Sequence, residues 1–319
     1  MILSIFLLIV GLAILIAGAE GLVRGAASIA KRWGVSALVI GLTVVAFGTS
    51  MPELTVNMYS AWLGNADIAI GNVIGSNISN ILLILGLSAV MRTLTVRSST
   101  VWREIPFALL AAGLVFIFGN DALFDGTGYN AMTRTDGLAL LAVFGIFCYY
   151  TFSIAKNAAD DESETVHLYG KWASLGLIFL GLVGLVVGGK LLVDSAVSLA
   201  TLAGLSDQLI GLTIVAVGTS FPELATSLVA VRKGHVDIAI GNVVGSNIFN
   251  VLWILGLTST ILQLPFNPAV NFDVAVNIIV TFILFVAMFI GKKHHLERWQ
   301  GAVLILMYIA YVGYLVFRG

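Results

Sequence analysis

The chain carries one pair of motifs twice. Gly-Thr-Ser-x-Pro-Glu occupies 48–53 and again 218–223, and Gly-Asn-x-x-Gly-Ser-Asn-Ile-x-Asn occupies 71–80 and again 241–250. Matched residues lie 170 positions apart, and the stretches around them align without a gap. This repeat restricts the fold more than any other feature, because each copy is about half of the chain and both copies must fold alike.

The composition indicates a membrane protein. Of the 319 residues, 59% are hydrophobic and only 10% are charged, whereas an ordinary soluble domain is about 25% charged. Mean hydropathy is +1.03, and many apolar runs approach the roughly 20 residues with which a helix crosses a bilayer. A net charge of −1 gives no indication of a nucleic-acid partner. The one cysteine, Cys148, excludes an internal disulfide and is expected to be a small buried hydrophobe.

Ten transmembrane helices are predicted, five in each half. Their approximate bounds are 2–30, 36–62, 67–90, 101–119, 132–155, 172–200, 206–231, 237–262, 270–291 and 298–317. The first stretch is a span rather than a signal peptide, because its glycine pattern recurs in the sixth span. The chain thus divides into a first repeat, 1–155, a short acidic linker, 156–171, and a second repeat, 172–319. Because five is odd, the second repeat enters from the opposite side, which predicts an inverted pair.

The basic residues are distributed as ten alternating spans require. Alternate connections on one side hold twelve of them, namely Lys31, Arg32, Arg92, Arg97, Arg103, Lys156, Lys171, Arg232, Lys233, Lys292, Lys293 and Arg298. The connections on the other side hold only Arg134 and Arg318. Basic connections usually face the cytoplasm. We therefore expect a multi-pass protein of the cell inner (cytoplasmic) membrane with a cytoplasmic linker and with both termini outside.

Each copy of the first motif places a carboxylate near the middle of an apolar span. Glu53 and Glu223 are costly there, and such residues are functional-site candidates by default. The proline before each glutamate has no N–H, so it is expected to break helices 2 and 7 at Gly-Thr-Ser-x-Pro-Glu. Gly48 and Gly218 are expected to let the backbone leave helical geometry at the break.

The residues before each break are expected to supply oxygen ligands. The break should free carbonyl oxygens at 46–49 and 216–219, and the negative end of a half-helix suits a cation. Irregular backbone at membrane depth is tolerated only where it lines a cavity or is buried in protein. Helical continuity would put the hydroxyls of four residues on the side of the glutamates, namely Thr49, Ser50, Thr219 and Ser220.

The second motif adds one polar helix face in each repeat. Its residues are spaced i, i+4, i+8, and they are Asn72, Ser76 and Asn80, with the twins Asn242, Ser246 and Asn250. All these donors are hard oxygens without thiolate or imidazole, which favours Ca²⁺ and Na⁺ over zinc, copper or iron. Two carboxylates balance one Ca²⁺ or two Na⁺, so the ions should exclude each other. The empty, doubly charged site should resist reorientation in the membrane.

At these motifs the sequence resembles the Ca²⁺/cation antiporter superfamily, and within it the sodium/calcium exchangers of prokaryotic type. The resemblance covers essentially the whole chain and implies ten helices with spans two, three, seven and eight around the site. It implies Ca²⁺ bound by Glu53 and Glu223 and by the carbonyls of Thr49 and Thr219. For Na⁺ and the middle of the site it implies Ala46, Ala216, Ser50, Ser220, Ser76, Ser246, Asn80 and Asn250.

The chain departs from some relatives at one point. They have Asp at one of the two positions that here are Asn80 and Asn250. This difference leaves the Na⁺:Ca²⁺ stoichiometry and any part played by K⁺ or H⁺ open.

Together these features predict a secondary antiporter, and not an enzyme, that exchanges Ca²⁺ for Na⁺ by alternating access. The expected partners are the two ions and the lipid bilayer, with no nucleic acid, no protein partner and no permanently bound cofactor. An H⁺- or K⁺-linked antiporter on the same fold is an open alternative, and so is a cation channel with fast, uncoupled flux. An intramembrane hydrolase is disfavoured, because the sequence pairs no nucleophile with a base.

The first and sixth spans each carry two opposite charges four residues apart. Glu20 and Arg24 align with Lys190 and Asp194, in reversed order of sign. Such pairs commonly neutralise each other locally. A sharper hypothesis is that they help to set the sliding of the first and sixth helices against the rest of the protein.

Overall fold

The structure is a computed structural model that describes residues 2–126, 128–155, 167–202 and 218–318. The described chain is almost entirely helical. Its first half contains α1 (Ile2–Trp33), α2 (Ala37–Thr49), α3 (Met51–Trp62), α4 (Ala66–Met91), α5 (Thr100–Phe118), the short α6 (Asp121–Phe124) and α7 (Arg134–Ala155). Its second half contains α8 (Lys171–Leu202), α9 (Phe221–Arg232), α10 (Val236–Ile261), α11 (Asn271–Ala287) and α12 (Arg298–Arg318).

These helices agree with the predicted spans. Eight helices of the described chain are long and apolar enough to cross a membrane, and the bent pair of α2 and α3 makes a ninth. The seventh predicted span, 206–231, is described only from residue 218, and α9 forms its second part. Most of the predicted linker, 156–166, lies outside the described residues. The predicted all-helical membrane fold is therefore confirmed.

Four two-residue strands connect the two halves. They are β1 (Leu94–Thr95), β2 (Ala131–Met132), β3 (Leu264–Pro265) and β4 (His295–Leu296), and β1 pairs with β4 while β2 pairs with β3, both antiparallel. Paired strands must lie on one side of the membrane. Spans four to nine separate β1 from β4, and spans five to eight separate β2 from β3. The chain thus crosses the membrane about six times between β1 and β4 and about four times between β2 and β3 in the predicted ten-span topology. Both numbers are even, so each pair of strands lies on one side, as ten alternating spans require.

Two polar contacts related by the repeat lie near these strand pairs. Arg97 Nε lies 2.6 Å from Asp237 Oδ2. The matching residues of the other repeat copies are Asn267 and Asp67, and Asn267 Nδ2 donates to Asp67 Oδ2 over 3.2 Å. We call the side with β1, β4 and Arg97 the basic face and the other side the opposite face. A strand pair and a polar contact related by the repeat thus join the first half to the second at each face.

The helices that carry the second motif form the centre of the molecule. In the apolar stretch of α10, 94% of the residues are buried, and in that of α4 78% are. For the peripheral α12 the figure is 17%. Helices that are this largely buried are covered on nearly all sides by other helices. The serines of the second motif are therefore buried in protein, and so are its asparagines except Asn72, which is partly buried.

The two 32-residue helices, α1 and α8, run antiparallel in contact with each other. Ser4 Oγ lies 3.0 Å from Ser198 Oγ at one end, and Ser174 Oγ donates to Ser28 Oγ over 2.9 Å at the other. Small residues permit this close approach in a membrane. We call the contact the glycine seam, and its glycines are Gly11, Gly18 and Gly25 on α1 and Gly181, Gly184 and Gly188 on α8.

Candidate functional site

The helix break in the first repeat lies at Ser50. The helices α2 and α3 meet there at an angle of 43°, and Ser50 has φ −85° and ψ 7°. Its twin Ser220 has φ −86° and ψ 5°. Both serines thus lie in the sparsely allowed region between helix and strand that active-site residues often occupy. The two repeats have the same backbone at the residue where helix α3 or α9 begins.

The backbone hydrogen bonds at the break differ from the expectation in one respect. Pro52 has no N–H to donate to Gly48, as predicted. The Ala46 carbonyl, however, is not free, because it accepts from the Ser50 N–H over 3.1 Å. Thr49 Oγ1 also lies 3.4 Å from it, but this hydroxyl has one hydrogen, which it donates over 3.0 Å to Asn242 Oδ1. The helix resumes when the Leu54 N–H donates to the Ser50 carbonyl over 3.1 Å. A second lone pair on the Ala46 carbonyl is still available to a cation.

The motif glycines have a different role from the predicted one. Gly48 lies inside α2 and keeps helical geometry. A Cβ at this position would lie 2.3 Å from Leu182 Cδ2, and one at Gly218 would lie 2.6 Å from Val193 Cγ2. Both glycines therefore make room for side chains of α8. The expectation that they release the backbone from the helix is wrong, because Ser50 and Ser220 make that change.

The two glutamates are enclosed and incompletely hydrogen-bonded. Glu53 and Glu223 are each 1% exposed. Ser50 Oγ donates to Glu223 Oε1 over 3.1 Å, and Ser246 Oγ donates to the same atom over 3.4 Å. Both carboxylate oxygens of Glu53 and Oε2 of Glu223 have no partner among the described residues. Buried carboxylate oxygens without partners are costly, and a bound cation would satisfy them.

The serines of the site are not arranged symmetrically. Ser50 donates across the repeats to Glu223, so its twin would be expected to donate to Glu53. Instead, Ser220 Oγ lies 3.2 Å from Ser76 Oγ. The two repeats therefore have the same sequence pattern but different contacts in this structure.

Two motif threonines contact asparagines of the other repeat. Thr49 Oγ1 donates to Asn242 Oδ1 over 3.0 Å, and Thr219 Oγ1 donates to Asn72 Oδ1 over 3.3 Å. Asn242 Nδ2 also donates to Ser227 Oγ over 3.0 Å and lies 3.3 Å from the Glu223 carbonyl. Asn72 and Asn242 belong to the predicted polar face but were not predicted as site residues. Their regular spacing with Ser76 and Ser246 is the signal that could have included them.

The remaining predicted residues lie in the same enclosed region. Of the predicted side chains, Thr49, Ser50, Ser76, Asn80, Ser220, Ser246 and Asn250 are buried, as is Ala46. Thr219 is partly buried. Ala216 lies outside the described residues. Among the described residues, no three His, Cys, Asp or Glu side chains form a group that could hold a metal ion.

The packing around the site is also unequal at the two faces. Helix α1 packs along α9, which runs to the basic face, whereas α8 does not pack in the same way along α3, which runs to the opposite face. Pro222 on α9 is accordingly buried, and its twin Pro52 on α3 is partly exposed. Met51, beside it, is 36% exposed. The half of the site toward the basic face is therefore the more tightly covered one.

Comparison with known proteins identifies relatives over the whole length. The chain matches the family described as sodium/calcium exchanger protein over residues 3–153 and 173–317. It is 37% identical to the putative antiporter CaxA of Alkalimonas amylolytica over 326 residues, which cover 99% of each chain. It is 31% identical to the sodium/calcium exchanger MaX1 of Methanosarcina acetivorans, with 96% of each chain covered.

Solved structures agree with these relatives. A structure of the sodium-calcium exchanger NCX_Mj, soaked with 10 mM Na⁺ and zero Ca²⁺, matches with a TM-score of 0.83 at 34% identity and with 98% of each chain covered. This agreement confirms the predicted fold class for the chain as a whole. On the family match, the relatives and the fold, this chain belongs to the sodium/calcium exchanger family of multi-pass membrane proteins.

Proposed function

We propose that the protein is an antiporter, rather than an enzyme, that exchanges Ca²⁺ for Na⁺ across the cytoplasmic membrane. The observation that carries the proposal is the pair of enclosed glutamates, Glu53 and Glu223, with three carboxylate oxygens that have no partner among the described residues. The hydroxyls of Ser50 and Ser246 contact Glu223, and carboxylate and hydroxyl oxygens suit hard cations. A relative named as a sodium/calcium exchanger, MaX1, supports the choice of ions.

The two ions compete for the same charge in this mechanism. Glu53 and Glu223 together carry −2, which balances one Ca²⁺ or two Na⁺. In the proposed site the carbonyls of Thr49 and Thr219 complete the Ca²⁺ ligands. The Na⁺ ligands are the remaining predicted residues, namely Ala46, Ala216, Ser50, Ser220, Ser76, Ser246, Asn80 and Asn250. An empty site would leave two uncompensated buried charges, so reorientation without an ion is disfavoured.

The unequal packing of the two repeats supports alternating access. The positive-inside rule makes the basic face cytoplasmic, which puts both termini outside. In the proposed mechanism, the packing of α1 along α9 belongs to a state that is closed to the cytoplasm and less covered toward the outside. In the opposite state α8 would pack along α3, and α1 would no longer pack along α9. Such an exchange is possible because each of two inverted repeats can adopt the conformation of the other.

The proposal predicts that Ca²⁺ uptake requires a Na⁺ gradient. Purified protein in Na⁺-loaded proteoliposomes should take up Ca²⁺ when diluted into Na⁺-free buffer, because exit of Na⁺ frees the shared carboxylates. Vesicles loaded with K⁺, and vesicles with an acidic interior, are the controls and should show only background uptake. Equal uptake with K⁺ or H⁺ would contradict the Na⁺ assignment and favour the antiporter linked to those ions. Rapid conductive flux without a counter-ion would favour a channel.

An ion pair at the basic face gives a second prediction, which develops the hypothesis about the charged pairs. Glu20 on α1 contacts Lys233 after α9 over 2.7 Å and Arg24 over 3.4 Å. The twin of Lys233 is Leu63, so the opposite face has no equivalent bond. We expect Glu20→Gln to lower the ratio of molecules closed at the basic face to molecules open there by up to about fivefold. The effect is small because a partly exposed ion pair contributes only about 0.2–1 kcal/mol.

The measurement is the distribution of distances between spin labels on α1 and α9, in a Cys148→Ala background. Arg24→Gln is the matched control, because it removes only the longer contact and should leave the distribution close to that of the wild type. An unchanged distribution and an unchanged transport rate in Glu20→Gln would show that the pair only neutralises charge locally.

A further inference from the structure

Four asparagines form a reciprocal network between α4 and α10. Asn77 Nδ2 donates to the Asn247 carbonyl over 3.1 Å, and Asn247 Nδ2 lies 3.3 Å from the Asn77 carbonyl. Asn80 Nδ2 donates to Asn247 Oδ1 over 2.9 Å, and Asn250 Nδ2 donates to Asn77 Oδ1 over 3.0 Å. All four side chains are 3% exposed or less. Because each bond has its twin in the other repeat, the network lies across the pseudo-twofold relation of the two halves.

The chemistry of the network determines which way each amide is turned. A backbone carbonyl only accepts hydrogen bonds, so the atoms of Asn77 and Asn247 that face these carbonyls must be the amide nitrogens. The other atom of each amide is then Oδ1, which needs a donor. Asn80 and Asn250 supply that donor with Nδ2, and their own Oδ1 atoms must turn away from the network. If the amide of Asn80 or Asn250 were flipped, its Oδ1 would face the Oδ1 of Asn247 or Asn77, and two acceptors would meet without a hydrogen between them.

Two amide oxygens, those of Asn80 and Asn250, take no part in the hydrogen bonds of the network. Asn80 Oδ1 and Asn250 Oδ1 are buried and have no partner among the described residues. Asn80 lies one helical turn from Ser76, and Asn250 one turn from Ser246, on the same faces as these two site serines. A free amide could present either its oxygen or its NH₂ group to this region. The NH₂ group would repel a cation, whereas the oxygen would bind one.

On this basis we propose that Asn77 and Asn247 are positioning residues for ion binding. They hold the amides of Asn250 and Asn80, respectively, so that the oxygens and not the NH₂ groups are presented to the transported cation. The inference rests on the proposed function, since it assumes that the site binds Ca²⁺ and Na⁺. It assigns a role to two motif residues that do not themselves contact the ion. It also explains why an acceptor at these central positions can be a neutral amide.

The first test is Asn77→Leu, which has a similar shape but no acceptor for Asn250 Nδ2. The KM for Ca²⁺ in Na⁺-driven uptake is expected to rise about tenfold, which corresponds to about 1.4 kcal/mol, while the maximal rate per folded protein changes little. Asn277→Leu is the matched control, because Asn277 on α11 is equally buried, at 2% exposure, and is not part of the network. Its KM should equal that of the wild type.

A double-mutant cycle separates orientation from structural damage. Asn250→Asp presents an oxygen whichever way the side chain is turned, so it no longer needs Asn77 to orient it. In an Asn250→Asp background, Asn77→Leu should therefore raise the KM by no more than about twofold, and the cycle cancels the effect of the added charge itself. Equal penalties in both backgrounds, or an unchanged KM in Asn77→Leu alone, would overturn the proposal.

The proposed function and this inference fail in distinguishable ways. A wild-type protein without Na⁺-driven Ca²⁺ uptake would contradict the function, whereas an active wild type with unaltered variants would contradict only the positioning role. If Asn77→Leu is not recovered as folded protein, the smaller change Asn77→Ser is used. Its hydroxyl is too short to replace the amide oxygen, so the same rise in KM and the same rescue by Asn250→Asp are expected, and their absence would overturn the inference.

Discussion

Glu53→Gln and Glu223→Gln are each expected to lower Na⁺-driven Ca²⁺ uptake by at least about 100-fold, because the loss of one partner from a buried ion pair costs about 3–5 kcal/mol. Each carboxylate is 1% exposed and lacks a full set of protein partners. Each also supplies half of the −2 charge that one Ca²⁺ requires. The measurement is the initial rate of radioactive Ca²⁺ uptake into Na⁺-loaded proteoliposomes, normalised to the amount of folded protein inserted.

The matched control is Glu104→Gln. Glu104 on α5 is fully buried, like the two site glutamates, but its partner is the Tyr150 hydroxyl on α7 rather than a residue of the site. Glutamine keeps an oxygen that accepts this hydrogen bond, so the variant should fold and transport at nearly the wild-type rate. A similar loss in all three variants would mean that removal of any buried carboxylate damages the protein. Retained uptake in either site variant would contradict a site that needs both carboxylates.

The position of the bend between α2 and α3 and the positions of the two glutamates could be predicted because local rules decide them. A carboxylate or a proline inside an apolar span conflicts with the requirements of a membrane helix, and the conflict is visible without knowledge of any neighbour. The repetition of both, at 52–53 and again at 222–223, makes a chance occurrence implausible. The number of spans is equally local, since it follows from apolar length and from the side on which basic residues lie.

The contacts between the repeats could not be predicted in the same way. Thr49 donates to Asn242, which is distant in sequence and lies on a helix of the other repeat. The spacing of the second motif defines a polar face but does not determine which residue of another helix meets it. The same limit applies to Glu20. Its near neighbour Arg24 is visible in the sequence, whereas its closer partner Lys233 depends on how α1 packs against α9.

The glycines illustrate how a local explanation can be incorrect. Next to a proline, Gly48 is easily interpreted as a point of backbone freedom, but it remains helical and accommodates Leu182 of α8. Backbone geometry at a break depends on one residue, here Ser50, while the space beside a glycine depends on whatever helix packs there. Only the second effect requires the complete fold.

The difference between the contacts of the two repeats could not be predicted from the sequence either. Ser50 donates to Glu223, but Ser220 contacts Ser76, although the residues involved are the same in both halves. In the proposed alternating-access mechanism the two opposite states differ little in free energy, so the sequence does not indicate which of them a single structure will have.

Gly188→Ala is expected to destabilise the protein by about 1–3 kcal/mol, because overpacking at a close contact forces the neighbouring structure to shift. Gly188 belongs to the glycine seam, and a Cβ there would lie 2.5 Å from the Leu15 backbone nitrogen and 2.8 Å from the Gly11 carbonyl oxygen of α1. Backbone atoms of a helix cannot rotate away as the end of a side chain can. The two helices would have to separate, and the seam would lose contacts along its length.

A second glycine of α8 tests whether the seam, rather than the change from glycine to alanine, is responsible. Gly176 has no described atom within 4 Å of the position of an added Cβ. Gly176→Ala should therefore leave the thermal midpoint unchanged or raise it, since alanine is favoured over glycine in a helix by about 1 kcal/mol or less. The midpoints of both variants are measured in detergent, together with Ca²⁺ uptake. If Gly188→Ala unfolds at the same temperature as Gly176→Ala, close packing at the seam does not stabilise the pair of α1 and α8. A lowered midpoint for Gly188→Ala alone would mean that α1 and α8 depend on this backbone contact to stay together as one unit.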